Sequence, residues 1–180
     1  MKKYFVLFAL VVVLFSGCKK GENASNGSSQ SKTPAEMMEK LGMTLSKEMP
    51  FRIDLQTQKI EKWQGSIDLI NDQKSSSPII KLETSSVKIT GWFGDTAQGM
   101  SPSKGAIYFQ NGSETYYETI PVNLARTDVG KAFNNKGLDN CGFDVAVDVS
   151  KLPPGKYDIG FLGESNGSYG KFISGISIEK

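Results

Sequence analysis

The sequence predicts an all-β fold, an antiparallel sandwich of two sheets, and three observations point to it. Short runs alternate apolar and polar residues with period two, most plainly Phe143, Val145, Val147 and Val149 against Asp144, Ala146 and Asp148. Turn signals of glycine, proline and asparagine separate these runs at intervals of about ten residues, the spacing of a sandwich or barrel. Helical signals are confined to one short stretch near residue 35 and a turn near residue 130.

The elements begin with a leader. Lys2 and Lys3 precede an apolar run from Tyr4 to Phe15, which Ser16, Gly17 and Cys18 close. A positive start, a short apolar centre and small residues at the end form a secretory signal peptide over residues 1–17. The run falls short of the roughly 20 apolar residues that a membrane-spanning helix needs. Phe15-Ser16-Gly17-Cys18 resembles the lipobox of bacterial lipoproteins, with Phe15 where leucine is usual. The resemblance implies cleavage before Cys18 and acyl chains, palmitate among them, on its sulfur. The alternative is an ordinary signal with a cysteine near its cleavage site. Each buried methylene contributes about 0.8 kcal/mol, so two or three chains hold a protein on a membrane durably. Lys19, where inner-membrane lipoproteins carry Asp, implies the outer membrane if the cell is Gram-negative.

Residues 18–33 are the lipidated cysteine and a flexible tether, too polar to bury a core. Fifteen such residues span roughly 20 Å as a coil. Residues 34–64 hold a short helix and a leading strand. Thr33-Pro34-Ala35-Glu36 is a capping-box start with proline in the first turn, and Gly42 is a C-cap. Met37, Met38 and Leu41 share a side that packs on the domain or receives a partner.

Phe51–Leu55 is the leading strand, and residues 65–180 form the sandwich domain. Strands follow at 66–70, 79–82 and 87–93. A hairpin spans 105–110 and 113–120, with Asn111-Gly112 as a type I′ turn. The strand from Phe143 to Val149 leads to the turn Pro153-Pro154-Gly155, and strands at 157–162 and 171–178 flank Asn166-Gly167.

Composition excludes more than it selects. Removal of the leader leaves 19 basic residues against 19 acidic ones, so no positive excess is available for nucleic acid. There is no histidine, which removes Ser-His-Asp and Cys-His catalysis and any zinc site with a histidine ligand. No metal or other cofactor is expected. With Cys18 acylated, Cys141 has no partner and reads as a small buried hydrophobe, or else as a reactive thiol.

Five stretches occur in an order that resembles a known module. They are Gly65–Asn71 (GSIDLIN), Thr90–Asp95 (TGWFGD), Arg126–Val129 (RTDV), Asn140–Phe143 (NCGF) and Leu152–Tyr157 (LPPGKY). Together they are similar to a β-sandwich module of bacterial exported proteins, found also beside membrane glycosyltransferases of surface-polysaccharide assembly. The resemblance covers residues 65–180 and implies an immunoglobulin-like sandwich more than an activity. Many members carry a cysteine pair at the module's ends; this chain does not, nor does it carry a transferase.

Within these stretches Trp92 reads as a core aromatic against the facing sheet. Arg126 is one of two arginines in a chain that otherwise uses lysine. That choice suggests a planar, bidentate contact with Asp128 or another carboxylate. Asp128 alternatively caps the helical turn begun by Val129. Arg126 and Asp128 could also form a binding pair for a polar ligand.

Three functions remain. The first is a lipid-anchored, non-catalytic envelope module that binds a glycan or an envelope protein, or serves as an accessory subunit. Trp63, Tyr108, Tyr116 and Tyr117 are its sugar-stacking candidates, and core packing is their alternative role. Tyr116 and Tyr117 are adjacent in a strand, so one lies outside the core unless something covers that face. The second is a glycan hydrolase using Asp68 with Asp95, although Asp144 and Asp148 stand about 13 Å apart on one strand, too far for that chemistry. The third is an inhibitor presenting the loop Asp95–Lys104, which could equally be an idle connection.

Overall fold

The computed structural model describes residues 45–52, 60–74 and 77–180. The leader, Cys18, the tether, the helix near residue 35 and most of the 51–55 strand lie outside the described residues.

Among the described residues nine strands form two sheets. In chain order they are β1 (Ile60–Lys62), β2 (Gln64–Ile70), β3 (Ile79–Lys81), β4 (Ser86–Gly94), β5 (Lys104–Asn111), β6 (Glu114–Ile120), β7 (Gly142–Asp148), β8 (Lys156–Ser165) and β9 (Ser168–Glu179). The larger sheet runs β1-β9-β8-β5-β6, with β3 pairing the far end of β9, and the smaller runs β2-β4-β7. Between β6 and β7 lie the helix α1 (Thr127–Ala132) and a 3-10 turn (Lys136–Leu138).

Alternation sets the core. On β4, Val87, Ile89 and Phe93 are buried with Gly91 on the inward side, and on β7 Phe143, Val145 and Val147 face the same way. Phe109, Ile159 and Phe161 meet them from the larger sheet. The Phe161 ring lies 4.7 Å from Phe143, 5.4 Å from Phe93 and 5.8 Å from Phe172. Trp63, leaving β1, lies over Gly163 and Gly170 of β8 and β9, where any Cβ would come within 2.3 and 1.9 Å of its ring.

A further bond fixes the turn before β8. The Tyr157 hydroxyl donates to the Pro153 carbonyl at 2.9 Å, and Tyr157 itself is buried. Pro153-Pro154-Gly155 is therefore tied back onto its own strand.

Three expectations need correction. The sheets are not wholly antiparallel: β1 and β3 each pair parallel with β9. Parallel partners cannot be joined by a hairpin: both strands lie far from β9 along the chain, and β2, in the opposite sheet, separates β1 from β3. Turn signals report only hairpin neighbours, so this was not legible. Second, Trp92 is not the core aromatic. With Val87 and Ile89 facing inward, period two places Phe93 inside. Trp92 then faces out, packed on Val129, Leu138 and Cys141 and edge-on to Phe133 at 5.7 Å. Third, Asn111 pairs with Glu114 in the ladder, so the hairpin loop is Gly112-Ser113. Positive φ falls on Gly112 alone (57°), as in a type II′ loop opened by glycine.

The Trp63 seat has a direct test. Gly170→Ala is expected to cost at least about 2 kcal/mol in urea unfolding, because its Cβ would meet the indole at 1.9 Å. Gly112→Ala, which meets nothing within 4 Å, is expected to lose only about 1 kcal/mol from its positive φ. Equal losses at the two positions would remove the steric account.

Candidate functional site

The polar cluster on the small sheet is built by a bulge. The β2–β4 register slips between Ile67 and Leu69, leaving Asp68 as the extra residue. A bulge re-aims the side chain it carries, and Asp68 meets Arg126. The guanidinium donates from Nη1 to Asp68 Oδ2 at 2.7 Å. It also grips Asp128 at both oxygens, from Nε at 2.9 Å and Nη2 at 2.8 Å. Asp128 sits in the first turn of α1, whose N-cap is Arg126. The planar, bidentate contact is therefore present, with a second carboxylate that the sequence did not reveal.

The electrostatics follow. The Arg126 bonds hold the Asp128 carboxyl down at about 2, and Arg126 is itself raised, chiefly by its bond to Asp128. Arg126 is mostly buried, and three of its donors are taken by the two carboxylates. Beneath this cluster Cys141 is fully buried, and burial pushes its thiol up to about 11. A thiolate is the reactive form, so Cys141 is built to pack.

The large sheet carries its outer groove on a different face. Ser46 and Tyr117 exchange two backbone hydrogen bonds, at 2.9 and 2.7 Å, extending the sheet beyond β6. The chain then crosses the outer face, where Met49 and Phe51 pack with Ala106, Tyr108, Tyr117, Leu162 and Tyr169. Tyr116 faces the core and Tyr117 the outer face. A groove of about 690 Å³ runs between residues 46–51 and the β5–β6 end of the sheet. Its wall combines Tyr117, Met49, Pro50 and Phe51 with Ser46, Ser103, Lys104 and Thr119. Glu118 borders the same groove and is 5% exposed. Burial, with the charge of Asp148 behind it, raises its carboxyl to about 7.

The sequence-nominated residues are thus dispersed. Arg126 and Asp128 meet on the small sheet, Tyr117 lines the outer groove, and Tyr116 belongs to the core. Trp63 and Tyr108, at 2% and 4% exposure, offer no open ring face to a sugar. The Trp63 indole nitrogen has no hydrogen-bond partner among the described residues. Cys18 lies outside the described residues. The carboxylates proposed for hydrolysis each serve local structure. Asp68 holds Arg126, Asp95 is buried and accepts from the Ala97 and Gln98 amides at 3.0 Å, and Asp148 accepts from the Ser150 amide at 2.8 Å. Asp144 accepts from Thr90 at 3.1 Å.

The loop 95–104 is tied at its base and to the 3-10 turn. Asp95 and Met100 bridge its base, and the Ser101 amide donates to the Gly137 carbonyl at 3.0 Å. Sequence reasoning missed the groove residues Ser46, Met49, Lys104 and Thr119, because their proximity arises from the chain folding back over its own sheet. Among the described residues no cluster of His, Cys, Asp and Glu could hold a metal. No family model, curated protein or solved structure matches this chain.

Two outcomes follow. Arg126→Lys replaces a fork with a point charge that cannot hold both carboxylates in this geometry, so thermal stability is expected to fall by about 1–2 kcal/mol. Unchanged melting would remove the structural role. Glu118 carries the second. Its folded value lies above the ordinary 4.5, so the fold is favoured while this acid is protonated and loses stability as pH rises from 4.5 through about 7. Urea unfolding of the wild type is expected to weaken by about 1–3 kcal/mol between pH 5 and 8, and Glu118→Gln to remove most of that slope.

Proposed function

We propose that the chain is a lipid-anchored, non-catalytic module of the bacterial cell envelope whose outer groove binds a glycan chain. The anchor is Cys18 and the tether is residues 19–33, which place the domain outside the cytoplasm, at the outer membrane in a Gram-negative cell. The domain is immunoglobulin-like, a reading supported by the Tyr157 hydroxyl bonding the Pro153 carbonyl, a corner bond that such sandwiches use. The exported-protein module suggested by the five ordered stretches is consistent with this arrangement.

The groove is the observation that carries the binding role. Sugars present an apolar ring face and a rim of hydroxyls. An aromatic side chain, Tyr117, beside Ser46, Ser103, Thr119 and Lys104 matches both. The carboxylates considered for hydrolysis are occupied in turns and ion pairs, which favours binding over turnover. Arg126 and Asp128 satisfy each other, and so enter this reading as structure.

Two measurements test it. In cells labelled with palmitate, the wild type is expected to take label and Cys18→Ser to take none; an unlabelled wild type contradicts the anchor. On an array of bacterial glycans, the Cys18→Ser chain is expected to bind a polysaccharide and to lose about tenfold in affinity with Tyr117→Ala, the cost of one stacked ring at about 1.4 kcal/mol. Capture of a single protein and no glycan would replace the ligand class, and turnover of a bound sugar would contradict the non-catalytic reading.

A further inference from the structure

The β1–β9–β3 edge of the large sheet carries a feature that neither the groove nor the Arg126 cluster uses. β1 pairs with the first part of β9, and β3 with its last part. The register sets Lys62 directly opposite Lys171. Like charges so placed repel, and among the described residues neither lysine has a carboxylate within ion-pair distance. The Lys171 ammonium instead lies 5.2 Å from the Tyr108 ring centroid.

Apolar side chains sit beside this pair. Four large hydrophobics are exposed among the described residues, and two of them border this strip. Ile173, 63% exposed, follows Lys171 on the same face of β9. Ile79, 40% exposed, stands opposite Ser177 on β3. Between them the strand bulges around Gly175 (φ 74°), and Ser174 fills the bulge by donating to the Ile159 carbonyl at 2.7 Å. A bulge at a sheet edge discourages pairing with another strand, so the strip is poorly suited to a partner peptide. The acids nearby are engaged or peripheral. Asp158 accepts from Ser177 at 2.7 Å, Glu179 lies at the end of β9, and Glu61 points to the other face by alternation.

We propose that this strip, Lys62, Lys171, Ile173 and Ile79, rests on a membrane surface of anionic lipid. The lysines take the headgroup phosphates and the two isoleucines enter the acyl boundary, the division of labour of an interfacial surface. Charge complementarity selects the occupant: two cations without a carboxylate partner among the described residues flank exposed apolar side chains on a chain whose mature charge sums to zero. The inference rests on the anchored reading for its setting, since a tether of roughly 20 Å keeps the domain within reach of headgroups. Docking through this edge would fix the domain's orientation, with the β5–β6 edge at the far side of the large sheet from it.

The test uses the full chain after leader removal with Cys18→Ser, so that its result is independent of acylation. Cosedimentation with vesicles of phosphatidylcholine alone is compared with vesicles containing an equal share of phosphatidylglycerol. Binding is expected on the anionic vesicles only and is expected to fall in 0.5 M salt. Each lysine near such a surface is worth about 1 kcal/mol, so the Lys62→Ser, Lys171→Ser double variant should bind roughly 25-fold more weakly. Ile173→Ser, at an exposed site that leaves the fold intact, should weaken binding severalfold. Leu124→Ser, at a 42% exposed site bridged to β7 of the other sheet, should change nothing. Equal binding to both vesicle types, no binding to either, or the same loss from Leu124→Ser as from Ile173→Ser would overturn the proposal. Palmitate labelling decides the anchor separately.

Discussion

The structure depends on one packing constraint: four phenylalanine rings from two sheets must share a space that glycines opposite them leave open. Phe93 and Phe143 come from the small sheet, Phe161 and Phe172 from the large one, and the Phe161 ring touches the other three. A Cβ on Gly91 would stand 2.8 Å from Phe143, and one on Gly65 would stand 2.7 Å from Phe172. Aromatic pairs add about 0.5–1.5 kcal/mol each beyond their buried area. No disulfide assists among the described residues, where the one cysteine is free and buried. The joint between the sheets is therefore made by ring shape and missing side chains.

Departures from regular strands place everything else. The bulge at Asp68 turns a carboxylate toward Arg126, and that contact holds α1 over the outer face of the small sheet. Trp92 and Cys141 are covered as a result. On the large sheet the chain before β1 serves a comparable purpose: a two-bond bridge at Ser46 launches Met49 and Phe51 across Tyr108 and Tyr117. One wall of the groove is thus chain that arrives before the sandwich begins. Glu118 lies at that junction, so the groove's border and the fold's response to pH meet in one residue.

Much of this was legible in the sequence. Period two marked β7, turn signals bounded the strands of the hairpins, and Asn166-Gly167 marked its turn, with φ of 50° and 79°. The choice of Arg over Lys at 126 signalled a forked contact, because only a planar guanidinium makes one. Adjacent tyrosines on β6 implied that one faced outward unless covered, and the cover is residues 45–52. Other features were illegible for stated physical reasons. Asp68 as a partner depends on a register slip, which leaves no residue pattern. The parallel pairing of β1 and β3 with β9 joins strands far apart in the chain, which no turn signal reports. Trp92 was misplaced because its size suggested the core, whereas the parity of Val87 and Ile89 already set it outside. The paired lysines on β1 and β9 stand more than 100 residues apart in sequence.

Native-state amide hydrogen exchange on wild type and Phe161→Leu reaches the packing constraint most directly. If the shared rings join the sheets, the substitution lowers protection in β4 and β7 as well as in β5 and β8, by similar free energies. Loss confined to the large sheet, with β4 and β7 unchanged, would contradict the account.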